Sequence, residues 1–517
     1  MSDHRMTLRD LLQRSARRDG ARIAVIEQCA DQEPRDVTFL QLYREVNGLA
    51  QHYVDAGLQP GDRIAVLAGN SYEFARVVLA ASISGIVPAC VNTQLGAEDM
   101  TSVLHDLQPA AVVGHRAHLD RHRDSINAAA ITGPVWQIEP EELAPDSPAG
   151  AALPPGLSSD EPPTFGLTAD DPCLILYTSG STGRPKAVLH SHHGLVMNAW
   201  SIVTSWGFTP ADRVMVGLPM YHVSMWNTTF IPSLLVGSTA VIIDRISVDT
   251  FFTKLHESRA TVALGLPYML RTMVEQSRTS PLGVPPLRIA LYGMAGMPDQ
   301  LADEIRNELG IAMASGFGQT ESGGNTLVLA DQHHDTKCGS LGRPVPNAHV
   351  ELMDESGNLI EPRSNTVGEL VYRGPSMCLG YFDARSSVDE IAAPWLHSGD
   401  LAREDEDGFF WFQGRLRDVI KSGGENVYAA KVEQVIASLP GVLEVAVVGR
   451  PGERWGEEVW AYVVRDETAD VDEDDVRQVA RQQLAPFEVP KSVVFLDQLP
   501  KSASGKIVKR RLAPEDT

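Results

Sequence analysis

Hydrophobic and polar positions follow two alternating periods along the first 250 residues. Apolar residues at helical spacing over 39–56 precede a short aliphatic run at 63–67, and the same order repeats with a helix over 73–83 and a run at 87–91. Amphipathic helices that alternate with short aliphatic strands are typical of α/β layers with parallel strands. The pattern therefore predicts an α/β fold for this part of the chain.

The pattern changes near residue 416. The last hundred residues carry strand-like runs at 444–448 and 458–464, a helix over 472–484 that starts on acidic residues, and a third strand at 492–496. This order indicates a small α+β domain of its own. The 517 residues, 43% of them hydrophobic, are also too many for one ordinary core, so more than one domain is expected.

Charge and cysteine content limit the partners. The formal net charge of −23 argues against nucleic acid and against an anionic membrane surface, because each requires a basic face. The longest apolar stretch, 74–91, contains Arg76 and a break at Gly85, so we expect no membrane span. The N-terminus has no apolar signal segment, and the five cysteines are scattered without a CxxC pair. These features predict a mature, soluble, cytoplasmic chain with reduced thiols.

A polar loop, YTSGSTGRPK at 177–186, lies between an apolar run at 172–177 and a second run at 187–189. Its glycines free backbone N–H groups to point at an anion, its hydroxyls add donors, and its lysine adds charge. The loop is therefore a candidate phosphate-binding turn between two strands. A Gly/Ser surface turn is the alternative from these residues alone, since the glycine-to-lysine spacing departs from the Walker A pattern.

Further motifs resolve this ambiguity. They are FGQTE at 317–321, GELVYRG at 368–374, HSGDLA at 397–402, GRLRDVIKSGGENV at 414–427 and PKSASGKI at 500–507. In order and spacing the chain resembles the adenylate-forming superfamily of acyl-CoA synthetases, luciferases and peptide-synthetase adenylation domains, from about residue 6 to residue 512. The resemblance implies a large AMP-binding domain of layered α/β subdomains over 1–416 and a small, mobile α+β lid domain over 417–517. It places the hinge after Gly414, with Arg417 at the hinge position.

The resemblance also implies ATP and Mg²⁺ as cofactors. Thr320 corresponds to a residue that contacts the α-phosphate, Glu321 to the carboxylate that holds Mg²⁺, and Lys506 to the lysine that reaches the reacting carboxylate from the lid. Asp400 and Arg415 correspond to the pair that binds the ribose hydroxyls. The remaining nucleotide contacts it implies are Thr178, Ser179, Gly180, Ser181, Thr182, Gly183, Lys186, Gly293, Met294, Ala295, Gly316 and Phe317.

Three positions depart from the usual family residues. Phe317 stands where many relatives have a tyrosine that packs on adenine, which keeps the stacking face and loses the hydroxyl. Met294 interrupts the usual Gly-Gly-Ala wall, so it is expected to narrow the purine or the acyl pocket. Glu488 is acidic where some relatives carry a basic contact to CoA, which leaves Lys509, Arg510 and Arg511 as replacements.

For the second step, the resemblance implies transfer of the acyl group to the thiol of coenzyme A. Gly423 and Gly424 correspond to the loop beside the pantetheine arm, and Trp455 and Lys491 to contacts with the nucleotide end of CoA. Glycines let such an arm pass close to the backbone. A thiol on a phosphopantetheinyl carrier protein remains open as the alternative acceptor, and the oligomeric state is left as monomer or homodimer.

The segment PMYHVSMWN at 219–227 bears on the acid. It offers no carboxylate to pair with an amino group, and His222 corresponds to a histidine that orients the substrate carboxylate, although a histidine among apolar residues is more often part of a core. With Leu266, Met294 and little side-chain volume after Glu321, the segment predicts a roomy apolar cavity for an aromatic, alicyclic or medium-to-long aliphatic acid. The histidines of HSHHG at 190–194 are expected at the surface or behind a site, with no metal.

The leading hypothesis is an ATP-dependent acid:CoA ligase. A member specialised to one half-reaction, or one that loads a carrier protein, is the close alternative. A luciferase is weaker because the C-terminus, APEDT, lacks the SKL signal of many luciferases. A catalytically silent nucleotide-binding regulator would be expected to lack Lys506, Glu321 or the phosphate loop, and all three are present.

Overall fold

The computed structural model describes residues 6–29, 33–139, 150–179, 184–294, 296–383, 387–389, 394–422, 425–452, 456–466, 471–501 and 507–512. The chain divides into two compact units. The first unit is Met1–Val350 with Tyr372–Leu396, and the second unit is Glu351–Val371 with His397–Thr517. The domain boundary expected after residue 416 stays a prediction.

The helices begin and end as follows: α1 Leu8–Asp19, α2 Phe39–Asp55, α3 Tyr72–Ile83, α4 Ala97–Leu107, α5 Arg116–Arg121, α6 Arg123–Ala128, α7 His192–Trp206, α8 Val223–Met225, α9 Ile231–Val236, α10 Val248–Ser258, α11 Pro267–Thr279, α12 Asp299–Asp303, α13 His334–Lys337, α14 Ala429–Ala437 and α15 Glu473–Gln483. Capping boxes fix several of the N-termini. Thr7 and Asp10 exchange hydrogen bonds at the start of α1, and Thr38 and Gln41 do so at the start of α2.

The strands of the first half of the chain are β1 Ile23–Gln28, β2 Arg35–Thr38, β3 Arg63–Leu67, β4 Val87–Cys90, β5 Ala111–Gly114, β6 Val135–Gln137, β7 Ala151–Ala152, β8 Pro172–Ser179, β9 Pro185–Ser191, β10 Arg213–Val216, β11 Thr239–Ile243, β12 Val262–Leu264 and β13 Ile289–Gly293. Those that follow are β14 Ala312–Gln319, β15 Gly324–Leu329, β16 Arg343–Pro344, β17 His349–Met353, β18 Val367–Arg373, β19 Gly380–Asp383, β20 Ser387–Asp389, β21 Leu396–Glu404, β22 Phe410–Arg415, β23 Val419–Ser422, β24 Glu425–Tyr428, β25 Val442–Gly452, β26 Gly456–Arg465 and β27 Ser492–Phe495.

Two nine-stranded sheets form the first unit. Sheet A has the order β16-β15-β14-β13-β12-β10-β11-β1-β2, and sheet B has the order β20-β19-β9-β8-β4-β3-β5-β6-β7. The middle strands of both sheets run parallel, while β2, β15 and β16 in sheet A and β9, β19 and β20 in sheet B are antiparallel to their neighbours. Parallel strands need crossover helices, which explains the alternation of helices and short aliphatic runs in the sequence.

The largest hydrophobic core of the first unit joins helices α1, α2, α3 and α7 to strands of both sheets. Fully buried aromatic residues form part of it. Trp226 stacks on Phe230 with ring centroids 4.9 Å apart, and the edge of Phe74 meets Trp226 at 6.0 Å. Offset and edge-on aromatic pairs of this kind contribute beyond their buried area. The helices that carry them are therefore held firmly against the two sheets.

The second unit contains a four-stranded sheet, β17-β18-β21-β22, and a five-stranded sheet, β24-β23-β26-β25, in which β27 pairs with β26. Helices α14 and α15 supply apolar residues to a core with the second of these sheets. The strands and the helix expected between 444 and 496 are all present, with β25 longer than expected. The hairpin of β23 and β24 and the helix α14 were not expected from the sequence.

The predicted alternation in the first unit is confirmed as well, since α2, β3, α3 and β4 match the four expected segments within two residues. All five cysteines are unpaired, as expected. Among the helices in the described ranges, none is both long and apolar enough to cross a membrane.

Candidate active site

The polar loop begins and ends on paired strands. Strands β8 and β9 form an antiparallel hairpin in which Thr178 pairs with Lys186 and Ser179 with Pro185. The two ends of the loop are therefore neighbours across one ladder, as the sequence predicted for a strand-to-strand turn. Of the expected phosphate contacts, Gly180, Ser181, Thr182 and Gly183 lie outside the described residues, and so does the side chain of Ser179.

The side chain of Tyr381 contacts both a cation and a carboxylate. Strand β19 lies beside β9, with Tyr381 opposite Val188. The ammonium of Lys186 lies 4.9 Å from the ring centroid of Tyr381, and the Tyr381 hydroxyl donates a hydrogen bond of 2.9 Å to Oε1 of Glu321. Burial and the nearby Glu321 carboxylate raise the pKa of Tyr381, so its hydroxyl stays protonated and remains a donor. Sequence reasoning missed Tyr381.

Thr320 and Glu321 occupy a tight turn between two strands of sheet A. A single 3₁₀ turn, Thr320–Ser322, follows β14 and ends at Gly323, whose N–H donates to the Thr320 carbonyl at 3.0 Å. The backbone N–H of Cys378 donates to the carbonyl of Glu321 at 2.8 Å. These bonds fix the backbone on both sides of the Glu321 side chain, so its carboxylate starts from a defined position.

The small residues after Glu321 do not leave open space. Gly323 has φ +76°, and a Cβ there would lie 2.3 Å from the carbonyl oxygen of Ser376. A Cβ on Gly324 would lie 2.9 Å from Oδ1 of Asn198. These glycines are therefore required by close backbone packing. The expectation that this segment enlarges the acid cavity is wrong at these two positions.

The expected adenine wall lies at the carboxyl ends of two parallel strands. Gly293 at the end of β13 pairs with Gly316 in β14, and Phe317 follows, half-buried. A Cβ on Gly293 would lie 2.8 Å from the Gly316 carbonyl oxygen. Met294 comes next, at φ +65° and with 53% of its surface exposed. The structure therefore brings together Gly293, Met294, Gly316 and Phe317, while Ala295 lies outside the described residues.

The residues expected at the acid pocket divide into exposed and buried sets. The rings of Tyr221 and His222 are half-buried and tilted, with centroids 4.8 Å apart, and burial raises the pKa of Tyr221. Met225 and Trp226, in contrast, have no exposed surface and pack in the core, so the expectation that these two residues line the acid cavity is wrong. Leu266 and Met294 keep exposed surface and remain available to a ligand.

Two buried asparagines, Asn198 and Asn227, and the half-buried Asn325 lie behind the Thr320–Ser322 turn. Asn227 donates from Nδ2 to the carbonyl of Gly323 at 2.8 Å, and Asn198 donates from Nδ2 to the carbonyl of Asn227 at 2.7 Å. The amide of Asn325 lies against Gly316. Sequence reasoning missed this network, because no local pattern distinguishes these asparagines from the others in the chain.

The expected ribose pair forms within the second unit. Asp400 in β21 pairs with Arg415 in β22, and Nε of Arg415 lies 3.3 Å from Oδ1 of Asp400. The guanidinium is 46% exposed and the carboxylate 13% exposed. A forked donor beside an acceptor suits a vicinal diol. The structure thus places the two residues side by side, and their binding of ribose stays a prediction.

The residues expected near CoA are described only in part. Lys506, Gly423, Gly424 and Trp455 lie outside the described residues. The side chain of Lys491 is exposed.

Two other side chains that the resemblance relates to CoA have protein partners. Glu488 is 3% exposed and accepts two hydrogen bonds from Lys431, at 2.7 and 2.8 Å, so it does not face a ligand. The ammonium of Lys509 lies 2.8 Å from Glu433, which weakens the case for Lys509 as a replacement phosphate contact.

Two of the three histidines of the HSHHG segment are buried. His190 and His192 are 1% and 0% exposed, and burial lowers the pKa of each ring to about 4. Nδ1 of His192 accepts a hydrogen bond from the backbone of Leu8 at 3.3 Å. The surface alternative is therefore wrong for these two residues. Across the described ranges, no group of three or more His, Cys, Asp or Glu residues is arranged to hold a metal ion.

Comparisons with known proteins agree with this arrangement. The chain matches the family described as AMP-binding enzyme over residues 12–382 and the AMP-binding enzyme C-terminal domain over residues 431–506. It is 33% identical over 474 residues to the feruloyl-CoA synthase of Amycolatopsis sp., with 92% of each chain covered. It is 33% identical over 476 residues to the long-chain-fatty-acid–CoA ligase FadD13 of Mycobacterium tuberculosis, with 90% of this chain and 91% of that protein covered.

The fold comparison gives the same result. The crystal structure of ATP-bound MatB from Rhodopseudomonas palustris matches 98% of both chains with a TM-score of 0.84 at 28% identity. The predicted fold class, a large α/β domain with a smaller C-terminal domain, is confirmed. The chain belongs to the AMP-binding enzyme family and is an AMP-forming acyl-CoA synthetase, which uses ATP to join a carboxylic acid to CoA.

Proposed function

We propose that the protein converts a hydrophobic carboxylic acid, of the aromatic, alicyclic or medium-to-long aliphatic class, into its acyl-adenylate and then into its CoA thioester. The observation that carries the proposal is the contact of Tyr381 with both Lys186 and Glu321. It brings a cation and a carboxylate to the end of the hairpin that carries the polar loop. A triphosphate requires both, because the cation contacts the phosphate oxygens and the carboxylate binds the metal ion that accompanies them.

In the first step, a carboxylate oxygen of the acid forms a bond to the α-phosphorus of ATP, and the bond from that phosphorus to pyrophosphate breaks. Thr320 donates a hydrogen bond to the α-phosphate, and the ammonium of Lys506 offsets the charge that builds up between carboxylate and phosphate. In the second step, the thiolate sulfur of CoA bonds to the acyl carbon and AMP leaves. Arg415 and Asp400 bind the ribose hydroxyls.

The donor set at Glu321 fits Mg²⁺. A carboxylate oxygen is the ligand type that Mg²⁺ prefers, and the bond from Tyr381 limits the rotation of this carboxylate. When bound there, Mg²⁺ would neutralise charge on the phosphates and on the departing pyrophosphate. Glu321 is thus proposed as the protein ligand of the ion.

Two observations support a hydrophobic acid. Beside His222, Tyr221 and Val223 keep part of their surface exposed, and the segment has no carboxylate for an amino group. Leu266 and Met294 also present exposed apolar surface. The two relatives described above are named for a phenylpropenoid acid and for long-chain fatty acids, both of which are largely apolar. His222 orients the substrate carboxylate in this proposal.

The test is ATP–pyrophosphate exchange with purified protein over a panel of carboxylic acids. We expect exchange with at least one hydrophobic acid and none with amino acids. Lys506→Ala should lower the exchange rate by about two orders of magnitude or more, the scale expected for losing a preorganised charge at the transition state. Lys254→Ala, which removes a lysine paired with Glu257 on α10, is the matched control and should leave exchange unchanged.

The thiol acceptor is tested separately. The acid that gives the fastest exchange is offered with CoA, or with a phosphopantetheinyl carrier domain, and thioester formation is measured. We expect CoA to be the better acceptor. Thioester on the carrier alone would assign the protein to carrier loading, and exchange without any thioester would restrict it to one half-reaction.

A further inference from the structure

Asn227 connects two parts of the candidate active site. It lies five residues after His222 and donates from Nδ2 to the carbonyl of Gly323, which ends the turn that carries Thr320 and Glu321. Asn227 is 1% exposed, so this 2.8 Å bond is shielded from water. A hydrogen bond in such surroundings is costly to break, because the carbonyl would be left without a partner.

The backbone between His222 and Asn227 is held by hydrogen bonds within its helical turns. The carbonyl of His222 accepts hydrogen bonds from the N–H groups of Met225 and Trp226, at 3.1 and 3.2 Å. Trp226 begins a one-turn π-helix, Trp226–Phe230, which is fully buried. A π-turn is rare, and where one occurs it often re-aims a side chain at a functional site. A displacement of His222 would therefore be transmitted to Asn227 through one short segment.

The turn side is equally constrained. Gly323 adopts φ +76° and packs against Ser376, while its N–H closes the turn on Thr320. The side chain of Ser322 accepts from the N–H of Gln319 at 3.1 Å and donates to the carbonyl of Gly324 at 2.7 Å. These bonds make the turn rigid. Asn227 contacts the turn at the carbonyl of Gly323.

The asparagine pair behind the turn carries an energetic cost. Within the described residues, neither Oδ1 of Asn198 nor Oδ1 of Asn227 has a hydrogen-bond partner, although both side chains are buried. Buried polar atoms without partners are unfavourable, and an apolar residue of similar size at either position would avoid that cost. The two amides offset this cost through the hydrogen bonds they donate, from Asn227 to the carbonyl of Gly323 and from Asn198 to the carbonyl of Asn227.

We propose that Asn227 is a positioning residue that links occupancy of the acid site beside His222 to the orientation of Thr320 and Glu321. The inference rests on the proposed function, because it needs the acid at His222 and Mg²⁺–ATP at Glu321. It goes further in stating that the two ligands bind cooperatively through one hydrogen bond. Such coupling is reciprocal, so each ligand must tighten the other by the same factor.

The experiment measures this factor by calorimetric titration. Mg²⁺ with α,β-methylene-ATP, which cannot be cleaved at the α-phosphorus, is titrated with and without a saturating amount of the acid that gives the fastest exchange. In the unaltered protein we expect the acid to lower the Kd of the nucleotide at least fivefold, the low end of typical coupling. In Asn227→Leu the factor should fall below about twofold.

Asn47→Leu is the matched control. Asn47 is also fully buried, also donates from Nδ2 to a backbone carbonyl, that of Ser159 at 3.3 Å, and also has an unpartnered Oδ1, but it lies on α2. Its replacement should lower the thermal unfolding midpoint as Asn227→Leu does and leave the coupling factor unchanged. If Asn227→Leu does not fold, Asn227→Ser keeps a donor on a shorter side chain and should give an intermediate factor.

An unchanged coupling factor in Asn227→Leu, or an equal loss in Asn47→Leu, would overturn the inference. So would exchange activity in the unaltered protein with no coupling at all. Absence of pyrophosphate exchange with every acid would instead contradict the proposed function, so the two failures are distinguishable.

Discussion

The hydroxyl of Tyr381 donates a hydrogen bond to the carboxylate of Glu321 across 60 residues of sequence. The same ring lies under the ammonium of Lys186, so one side chain contacts both the candidate metal ligand and the lysine at the end of the polar loop. Ligating carboxylates are commonly held by such outer hydrogen bonds, and their loss reduces metal affinity or activity by about 10–100-fold. Tyr381 is thus expected to position Glu321.

Replacing Tyr381 with phenylalanine should raise the Mg²⁺ requirement. Tyr381→Phe keeps the ring beneath Lys186 and leaves Glu321 free to rotate, so we expect the exchange rate at limiting Mg²⁺ to fall about tenfold or more. The measurement is pyrophosphate exchange as a function of Mg²⁺ concentration. Tyr268→Phe, on the exposed face of α11, is the control. An unchanged Mg²⁺ dependence in Tyr381→Phe would show that the hydrogen bond does not position the carboxylate.

Glu488 should matter for stability and not for CoA. Glu488→Gln keeps the shape of the side chain but removes the charge that holds Lys431, and it alters the acceptor for the N–H of Ala485 at 2.9 Å. We expect the free energy of unfolding to fall by about 1.5–3 kcal/mol, the range for hydrogen bonds to a charged group. Urea unfolding measures it.

The KM for CoA of Glu488→Gln should stay within twofold of the unaltered value. Glu444→Gln, which removes a half-exposed partner of Lys501, is the control and should cost less than about 1 kcal/mol. A large rise in the KM for CoA in Glu488→Gln, with stability preserved, would contradict the structural role.

Stability should fall as the pH is lowered from 6.5 towards 4. The pKa of His190 is about 4 in the folded chain and about 6.5 when unfolded, so in this interval the unfolded chain binds more protons than the folded one. The free energy of unfolding therefore rises with pH, by up to about 1.4 kcal/mol per pH unit for one such group. His192 acts in the same direction.

In the variant His190→Phe, the free energy of unfolding should depend less steeply on pH, by about the contribution of one titrating group. The measurement is the urea midpoint at pH 7.5 and at pH 5.5 for the two proteins. His349→Phe, at an exposed position, is the control. Identical pH dependence in the unaltered protein and in His190→Phe would mean that the ring is not held neutral by burial.

Met294 should affect which acids are used and leave stability nearly unchanged. A non-glycine residue at φ +65° destabilises the folded chain by about 1 kcal/mol, and glycine removes that strain. Glycine also makes the unfolded chain more flexible, which favours unfolding by a similar amount, so the two effects nearly cancel. We expect Met294→Gly to change the ratio of kcat/KM for a long-chain acid to that for benzoate by at least fivefold, since apolar contacts discriminate on this scale.

The control for this substitution is Gln108→Gly, at φ +46° on the C-terminal cap of α4, which should leave the acid profile unchanged. An acid panel assayed by pyrophosphate exchange measures both variants. The same profile for Met294→Gly and the unaltered protein would exclude Met294 from the acid pocket.

Local patterns in the sequence predicted the local structure well. The periods around α2, β3, α3 and β4 identified those elements, because helix and strand periodicity arises from neighbouring residues. The pairing of Asp400 with Arg415 was expected only from the family resemblance. Periodicity cannot report it, since it depends on the register of β21 against β22.

The missed features depend on contacts between distant parts of the chain. The bond from Asn227 to Gly323 spans 96 residues, and the one from Tyr381 to Glu321 spans 60. Each requires a strand or helix order that the sequence does not show. The burial of His190 and His192 was missed for the same reason, because a polar segment such as HSHHG looks like surface until the elements that cover it are known.

The facing glycines at 293 and 316 determine where this enzyme could be re-engineered. A Cβ at Gly293 would lie 2.8 Å from the Gly316 carbonyl oxygen, and one at Gly316 would lie 2.2 Å from the Asn325 amide. A side chain at Gly293 would press on backbone, and one at Gly316 would require the Asn325 amide to move. Variation aimed at a new acid therefore belongs at Met294, which keeps 53% of its surface exposed.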